Sequence, residues 1–115
     1  MCPAPAQGAI GIEVRADDAR AFELVGAISH PATFDCVMAE RALLAALGAD
    51  CRSPVAALAT RDADGVMSLR AELYAEDGSA RVADCWTIDS LHTAAALARA
   101  LLERAPPDVR ALFAP

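Results

Sequence analysis

The pattern of apolar and polar positions changes its period along the chain. Gln7-Gly8-Ala9-Ile10-Gly11-Ile12-Glu13-Val14 is a short, nearly continuous apolar run without clean alternation, which predicts a strand buried on both faces. Asp17 and Asp18 then offer an N-cap, and Phe22, Val25 and Ile28 recur three apart, predicting an amphipathic helix from about Asp18 to Ile28. Ser29-His30-Pro31 breaks it. A second helix is predicted from about Ala32 to Leu47, with Phe34, Val37, Met38, Leu44 and Leu47 at helical spacing and Gly48 as the residue past its end. From Val55 the period becomes two, and Val55–Arg61, Val66–Ala75 and Ala80–Ile88 read as strands. Asp64-Gly65 and Asp77-Gly78 mark their connections as tight hairpins. In the middle strand Met67, Leu69, Ala71 and Leu73 share one face, and Ser68, Arg70, Glu72 and Tyr74 the other. That alternation predicts an antiparallel meander with one covered and one wet face. Asp89 or Ser90 caps a helix from Leu91 to about Arg104, with Leu97, Leu101 and Leu102 turned inward. Pro106-Pro107 ends it, and a last helical turn spans about Asp108 to Phe113.

These elements predict an α+β fold: residues 31–115 form a two-layer unit, a three-stranded antiparallel sheet covered on one face by helices. Residues 1–30 fit less well. A buried-type strand at the start of the chain has no neighbours of its own kind, so the strand and helix read as the close of a larger, otherwise absent α/β domain. Such a strand is expected to seek an edge, either on its own meander or on a second chain.

Composition narrows the function. The chain has 115 residues, 10 Lys+Arg against 16 Asp+Glu, and a formal charge of −6. All ten cations are arginine, and about a quarter of the residues are alanine. An acidic chain of this size is a poor nucleic-acid binder, because phosphate neutralisation needs clustered cations. High apolar content excludes disorder. No segment approaches the ~20 apolar residues of a membrane span, and Met1-Cys2-Pro3-Ala4-Pro5 lacks the pattern of a signal peptide. The expectation is a cytoplasmic protein with neither nucleic acid nor membrane as partner. Four cysteines, Cys2, Cys36, Cys51 and Cys85, lie far apart, and with His30 and His92 isolated no metal-ligand spacing recurs, so no metal site is expected. Cys36 and Cys85 read as small buried hydrophobes.

Three segments carry a family resemblance. Ala4-Pro5-Ala6-Gln7-Gly8-Ala9-Ile10-Gly11-Ile12-Glu13 resembles the Ala-Pro-Gly-Gln-Gly-Ala-Leu-(Ala/Gly)-Ile-Glu strand of the porphobilinogen deaminase (hydroxymethylbilane synthase) family, and Arg15-Ala16-Asp17-Asp18 continues the match. Ala39-Glu40-Arg41-Ala42-Leu43-Leu44 resembles the family's Ala-Glu-Arg-Ala helix. Eleven residues after Glu40, Ala49-Asp50-Cys51-Arg52-Ser53-Pro54-Val55 is similar to its cysteine loop, and Asp77-Gly78-Ser79 to its common hairpin. Order and spacing along the chain make the resemblance specific.

The resemblance implies a transferase that joins four porphobilinogen molecules head to tail, releasing ammonia, to give the linear tetrapyrrole hydroxymethylbilane in porphyrin and heme biosynthesis. It implies growth on a dipyrromethane cofactor held by a thioether to one cysteine, which Cys51 matches. It further implies three domains, the last an α+β unit carrying that cysteine on a loop, in a monomeric enzyme whose partners are porphobilinogen and the growing polypyrrole. Residues 1–30 then close the first domain, and residues 31–115 are the C-terminal, cofactor-carrying domain.

Chemistry supports Cys51 independently. A thiolate is a good nucleophile for the azafulvene formed when porphobilinogen loses ammonia. Cys51 also follows a helix end at Gly48 and precedes Pro54, on a loop where a tethered group can swing into a cleft. Arg52 is a candidate to lower the thiol pKa or pair with a cofactor carboxylate. Gln7 matches a glutamine at the active-site edge, a candidate to hydrogen-bond a pyrrole or its carboxylates, with a strand-cap role as the alternative. Glu40 and Arg41 read as an ion pair or a solvated helix face. Arg15 either reaches the cleft or pairs with Asp17 or Asp18; Trp86 and Tyr74 read as packing residues, and His30 and His92 receive no role.

Two departures matter. The family's glycines before the cysteine are Ala49 and Asp50 here, a strain if either position needs positive φ, and Asp50 sets an anion beside the thiol. The arginine cluster that holds the polypyrrole carboxylates, and the aspartate acting at the pyrrole nitrogen, belong to the family's first two domains. The chain therefore reads as the C-terminal part of the enzyme, with no catalytic residue of its own and inactive alone. The alternative is a stand-alone, non-catalytic binding or regulatory module derived from that domain.

Overall fold

A computed structural model describes residues 2–50 and 52–113. Helix α1 is Ala19–Gly26, α2 Pro31–Leu47, α3 Leu91–Arg104 and α4 Pro107–Arg110; the strands are β1 Val55–Arg61, β2 Met67–Tyr74 and β3 Arg81–Ile88. The three strands form one antiparallel sheet in the order β1-β2-β3. Leu69 pairs with Ala59 on one side and Trp86 on the other, which puts alternate residues of all three strands on a common face. Leu69, Ala71 and Leu73 of that face are fully buried. Helix α2 packs over β1, α3 over β3, and the two helices pack on each other. Leu43 and Leu47 of α2 meet Leu97 and Leu101 of α3 in the same core. The predicted α+β architecture is what the structure contains.

Local chemistry sets the boundaries. Asp64-Gly65 and Asp77-Gly78 turn with φ of +80° and +77° at their glycines, the conformation for which glycine is suited. Gly48 ends α2 at φ +64°. Ser90 caps α3 by accepting the Thr93 N–H at 3.3 Å. His30 does the same for α2, its Nδ1 accepting the Thr33 N–H at 3.2 Å, so the residue without an assigned role is a helix cap. At the far end Arg110 donates to the carbonyls of Leu102, Glu103 and Ala105 at 2.9, 3.1 and 3.0 Å, closing α3 with one side chain.

Several expectations are corrected. Gln7–Val14 is not a strand: Gln7 and Gly8 lie in turns, residues 9–14 pair with no strand among the described residues, and Ile10 is 91% exposed. A lone extended segment has no ladder to satisfy its backbone, and the β1 edge of the meander is already engaged. At the β1 edge Ala57 donates to the Pro3 carbonyl at 2.9 Å, and beside β3 Arg104 holds Asp84 at 2.9 Å. Helix α1 does begin after Asp18, which accepts the Ala21 N–H, but Phe22 and Ile28 face solvent because no element lies against that side. The buried face of α2 is Ala39, Glu40, Leu43 and Leu47, rotated from the predicted stripe, and Phe34 is exposed. Cys36 is half-buried and packs against the core, whereas Cys85 is exposed and is not the buried residue expected.

Candidate functional site

The loop between α2 and β1 is where the motif cysteine falls. Cys51 itself lies outside the described residues; Asp50, Arg52 and Ser53 lie within them. Asp50 and Ser53 face each other across the turn: the Asp50 N–H donates to Ser53 Oγ at 2.9 Å and the Ser53 N–H to the Asp50 carbonyl at 3.1 Å. The Asp50 carboxylate accepts the Arg52 N–H at 2.8 Å, a local side-chain-to-backbone turn. Neither Ala49 nor Asp50 has positive φ, so the missing glycines leave no left-handed strain here. The Asp50 carboxylate is instead what shapes the loop. Arg52 is exposed, its guanidinium directed to no acid among the described residues.

The left-handed position lies elsewhere, at Ala6, with φ +57°. It sits in the turn Ala4–Ala9, where the Gln7 N–H donates to the Ala4 carbonyl at 3.2 Å and the Ala9 N–H to the Ala6 carbonyl at 3.1 Å. Ala6 replaces the glycine of the family pattern, and an alanine in this region is strained by roughly 1 kcal/mol. The turn presents Gln7, exposed, at a groove of about 350 Å³ that Thr33, Cys36 and Arg61 also line. Neither Asp50, Arg52 nor Ser53 lines that groove, so the structure does not bring Gln7 and Arg52 into one cavity.

Glu40 is neither an ion pair nor a solvated side chain. It is buried, and its two oxygens accept the backbone N–H of Ala6 at 2.6 Å and of Ala59 at 3.1 Å. No motif reading anticipated this. The available signal was an acid, one position from the buried Ala39, on a helix crossing an edge strand. Arg41 is exposed. Arg15 is exposed too, its carbonyl accepting the Asp18 N–H at 3.1 Å.

The sheet face away from the helices is not uniformly wet. Glu72 is only 2% exposed, held by the Tyr74 hydroxyl and by Arg81 and Arg70 at 3.2 and 3.3 Å. The Tyr74 hydrogen bond, aided by the two guanidiniums, pulls the Glu72 carboxyl below the usual range against the opposing effect of burial. The same hydrogen bond, with burial, pushes the Tyr74 phenol up to about 12. Tyr74 is thus a hydrogen-bond donor to a buried acid, while Trp86 packs against the core as expected. Burial also raises the thiols of Cys2 and Cys36, which keeps them protonated and poor nucleophiles.

Among the described residues no helix is long and apolar enough to cross a membrane. A family model described as porphobilinogen deaminase, C-terminal domain, matches residues 34–105. A porphobilinogen deaminase of Sphingopyxis alaskensis is 54% identical over 114 residues, covering 99% of this chain and 36% of the relative. That of Moorella thermoacetica is 44% identical over 110 residues, covering 93% and 35%. The chloroplastic enzyme of Oryza sativa subsp. japonica is 44% identical over 79 residues, covering 69% and 22%. The chain thus spans about a third or less of the length of these relatives. Its sheet, α3, α2 from Phe34 onward and the loop joining α2 to β1 fall in the matched span, and the chain belongs to the porphobilinogen deaminase family, in the part that bears the C-terminal domain.

Proposed function

We propose that this chain is the cofactor-carrying C-terminal part of a hydroxymethylbilane synthase, with a dipyrromethane primer joined by a thioether to Cys51. The observation that carries the reading is the family match across residues 34–105, which includes the Cys51 loop. When bound, the dipyrromethane supplies the pyrrole end on which porphobilinogen units are added. The residues around Cys51 fit such a group. The Asp50 carboxylate is occupied by the Arg52 N–H and Ser53 Oγ, which disperses the charge of the residue preceding Cys51 in the chain. The Arg52 guanidinium is exposed and offers a planar fork to a primer carboxylate. Gln7 stands apart from that loop, at the groove lined by Thr33 and Arg61, and any contact it makes with the pyrrole chain is separate from the attachment point. Residues 1–30 belong in this reading to the preceding α/β domain.

The chain alone is proposed to be inactive. Five of its ten arginines are engaged within the fold: Arg61 with Asp35, Arg70 and Arg81 with Glu72, Arg104 with Asp84, and Arg110 with helix carbonyls. A product carrying many carboxylates needs convergent cations that these arginines do not provide. Intact-protein mass tests the assignment. Co-expressed with the N-terminal two thirds of a relative, the chain should gain a two-pyrrole adduct that Cys51→Ser abolishes, and the isolated chain should make no hydroxymethylbilane. Absence of the adduct, or turnover by the isolated chain, would overturn the reading and leave a non-catalytic module.

A further inference from the structure

We propose that Glu40 is a positioning residue: its carboxylate clasps the turn that carries Gln7 onto the edge of the sheet, and so sets where the Gln7 carboxamide stands in the groove beside α2. The consequence for ligand contact rests on the reading of Gln7 given above, but the clasp itself does not.

Glu40 is 6% exposed and has no cation partner among the described residues. A buried carboxylate of this kind must find donors, and the two it has among the described residues come from different parts of the chain. One oxygen takes the Ala6 N–H of the N-terminal turn, the other the Ala59 N–H on the open edge of β1. The hydrogen bonds inside the turn, Gln7 to Ala4 and Ala9 to Ala6, are local and would form wherever the turn happened to lie. What ties the turn to the sheet is Glu40, together with the bond from Ala57 to the Pro3 carbonyl. Ala6 is also held at positive φ, a conformation that persists only where surrounding contacts enforce it. The bond from its own N–H to Glu40 is such a contact. One residue further along, Gln7 lines the groove together with Thr33, Cys36 and Arg61. Glu40 therefore acts through Gln7 rather than on a ligand.

Gln7 is the only glutamine and the chain has no asparagine, so its side chain is the sole carboxamide and an unambiguous NMR probe. In the wild-type chain the Ala6 amide should exchange about fivefold or more slowly than the Gly8 amide, the worth of one hydrogen bond. In Glu40→Leu the Gln7 carboxamide resonances should move to those of a free glutamine. The Ala6 and Ala59 amides should lose protection while Leu69 and Ala71 in β2 keep theirs. Unchanged Gln7 resonances in Glu40→Leu would overturn the proposal. So would a wild-type Ala6 amide that exchanges as fast as Gly8, a comparison that decides the matter even if Glu40→Leu fails to fold. A missing adduct on Cys51 would leave these readouts unaltered, and a failed clasp would leave the adduct intact.

Discussion

The Glu40 carboxylate on α2 accepts the Ala59 backbone N–H on β1 at 3.1 Å, so a helix side chain completes the open edge of the sheet. Edge strands expose unpaired N–H groups that invite other strands, and this one is closed by an acid on one residue and the Pro3 carbonyl on another. In Glu40→Gln one side-chain oxygen is replaced by an NH2 group that faces a backbone N–H. The expected loss is about 1–3 kcal/mol, the penalty for a buried donor without an acceptor. Urea denaturation reads it, and a midpoint equal to the wild type would contradict the edge-closing role.

Ala6 stands at φ +57° where the family pattern has glycine. Ala6→Gly removes the Cβ that opposes this conformation but loosens the unfolded chain. The net expectation is a gain of up to about 1 kcal/mol. Thermal unfolding measures the difference, and a lower melting temperature would show that the turn is not held at positive φ in solution.

The Glu72–Tyr74 pair predicts an acid-sensitive term in stability. The folded pKa of Glu72 lies below its unfolded value, so its contribution is present above the unfolded pKa and lost as pH falls through the folded one. Tyr74→Phe removes the largest cause of that depression, and the variant should lose stability less steeply than wild type below about pH 5. Tyr74 behaves in the opposite sense. Its folded pKa of about 12 exceeds the unfolded value, so its contribution is full below the unfolded pKa and fades as pH rises through the folded one. Ultraviolet titration of this single tyrosine should show ionisation well above that of free tyrosine. Ordinary ionisation would mean the hydrogen bond to Glu72 is absent.

Asp50 organises the loop around the motif cysteine through the Arg52 N–H and Ser53 Oγ. Asp50→Ala removes that acceptor and should speed tryptic cleavage after the exposed Arg52 by several-fold, following the opening equilibrium. Equal cleavage rates would assign the loop's order to the Ser53 N–H bond with the Asp50 carbonyl instead.

Arg110 closes the end of α3 through three carbonyls. Arg110→Met keeps much of the aliphatic stem and removes the donors, with an expected loss of about 1–2 kcal/mol. Amide exchange should rise first in the last turn of α3, and a uniform rise across the sheet would contradict a local role.

The sheet was legible in the sequence because its signals are local. Alternation at Met67, Leu69, Ala71 and Leu73 fixes which face is buried, and the two Asp-Gly turns leave adjacent antiparallel strands as the short connection. Helix ends at Gly48 and Ser90 follow from single residues for the same reason. The family, too, was legible, since its motifs are runs of chain around Gln7, Glu40 and Cys51. What could not be read were facts about neighbours. Apolar Ile10, Phe22 and Ile28 have the residue types of buried positions, but burial requires something to lie against them, and within the described residues nothing does. Glu40 and Glu72 look like surface acids by type. Only the packing of α2 against both an edge strand and the N-terminal turn gives Glu40 its two backbone donors, and only cross-strand register sets Arg81 beside Glu72 and Tyr74. Periodicity records what a residue does to its own segment. The fate of a charge is decided by donors far away in the chain, and those are brought to it only when the segments pack.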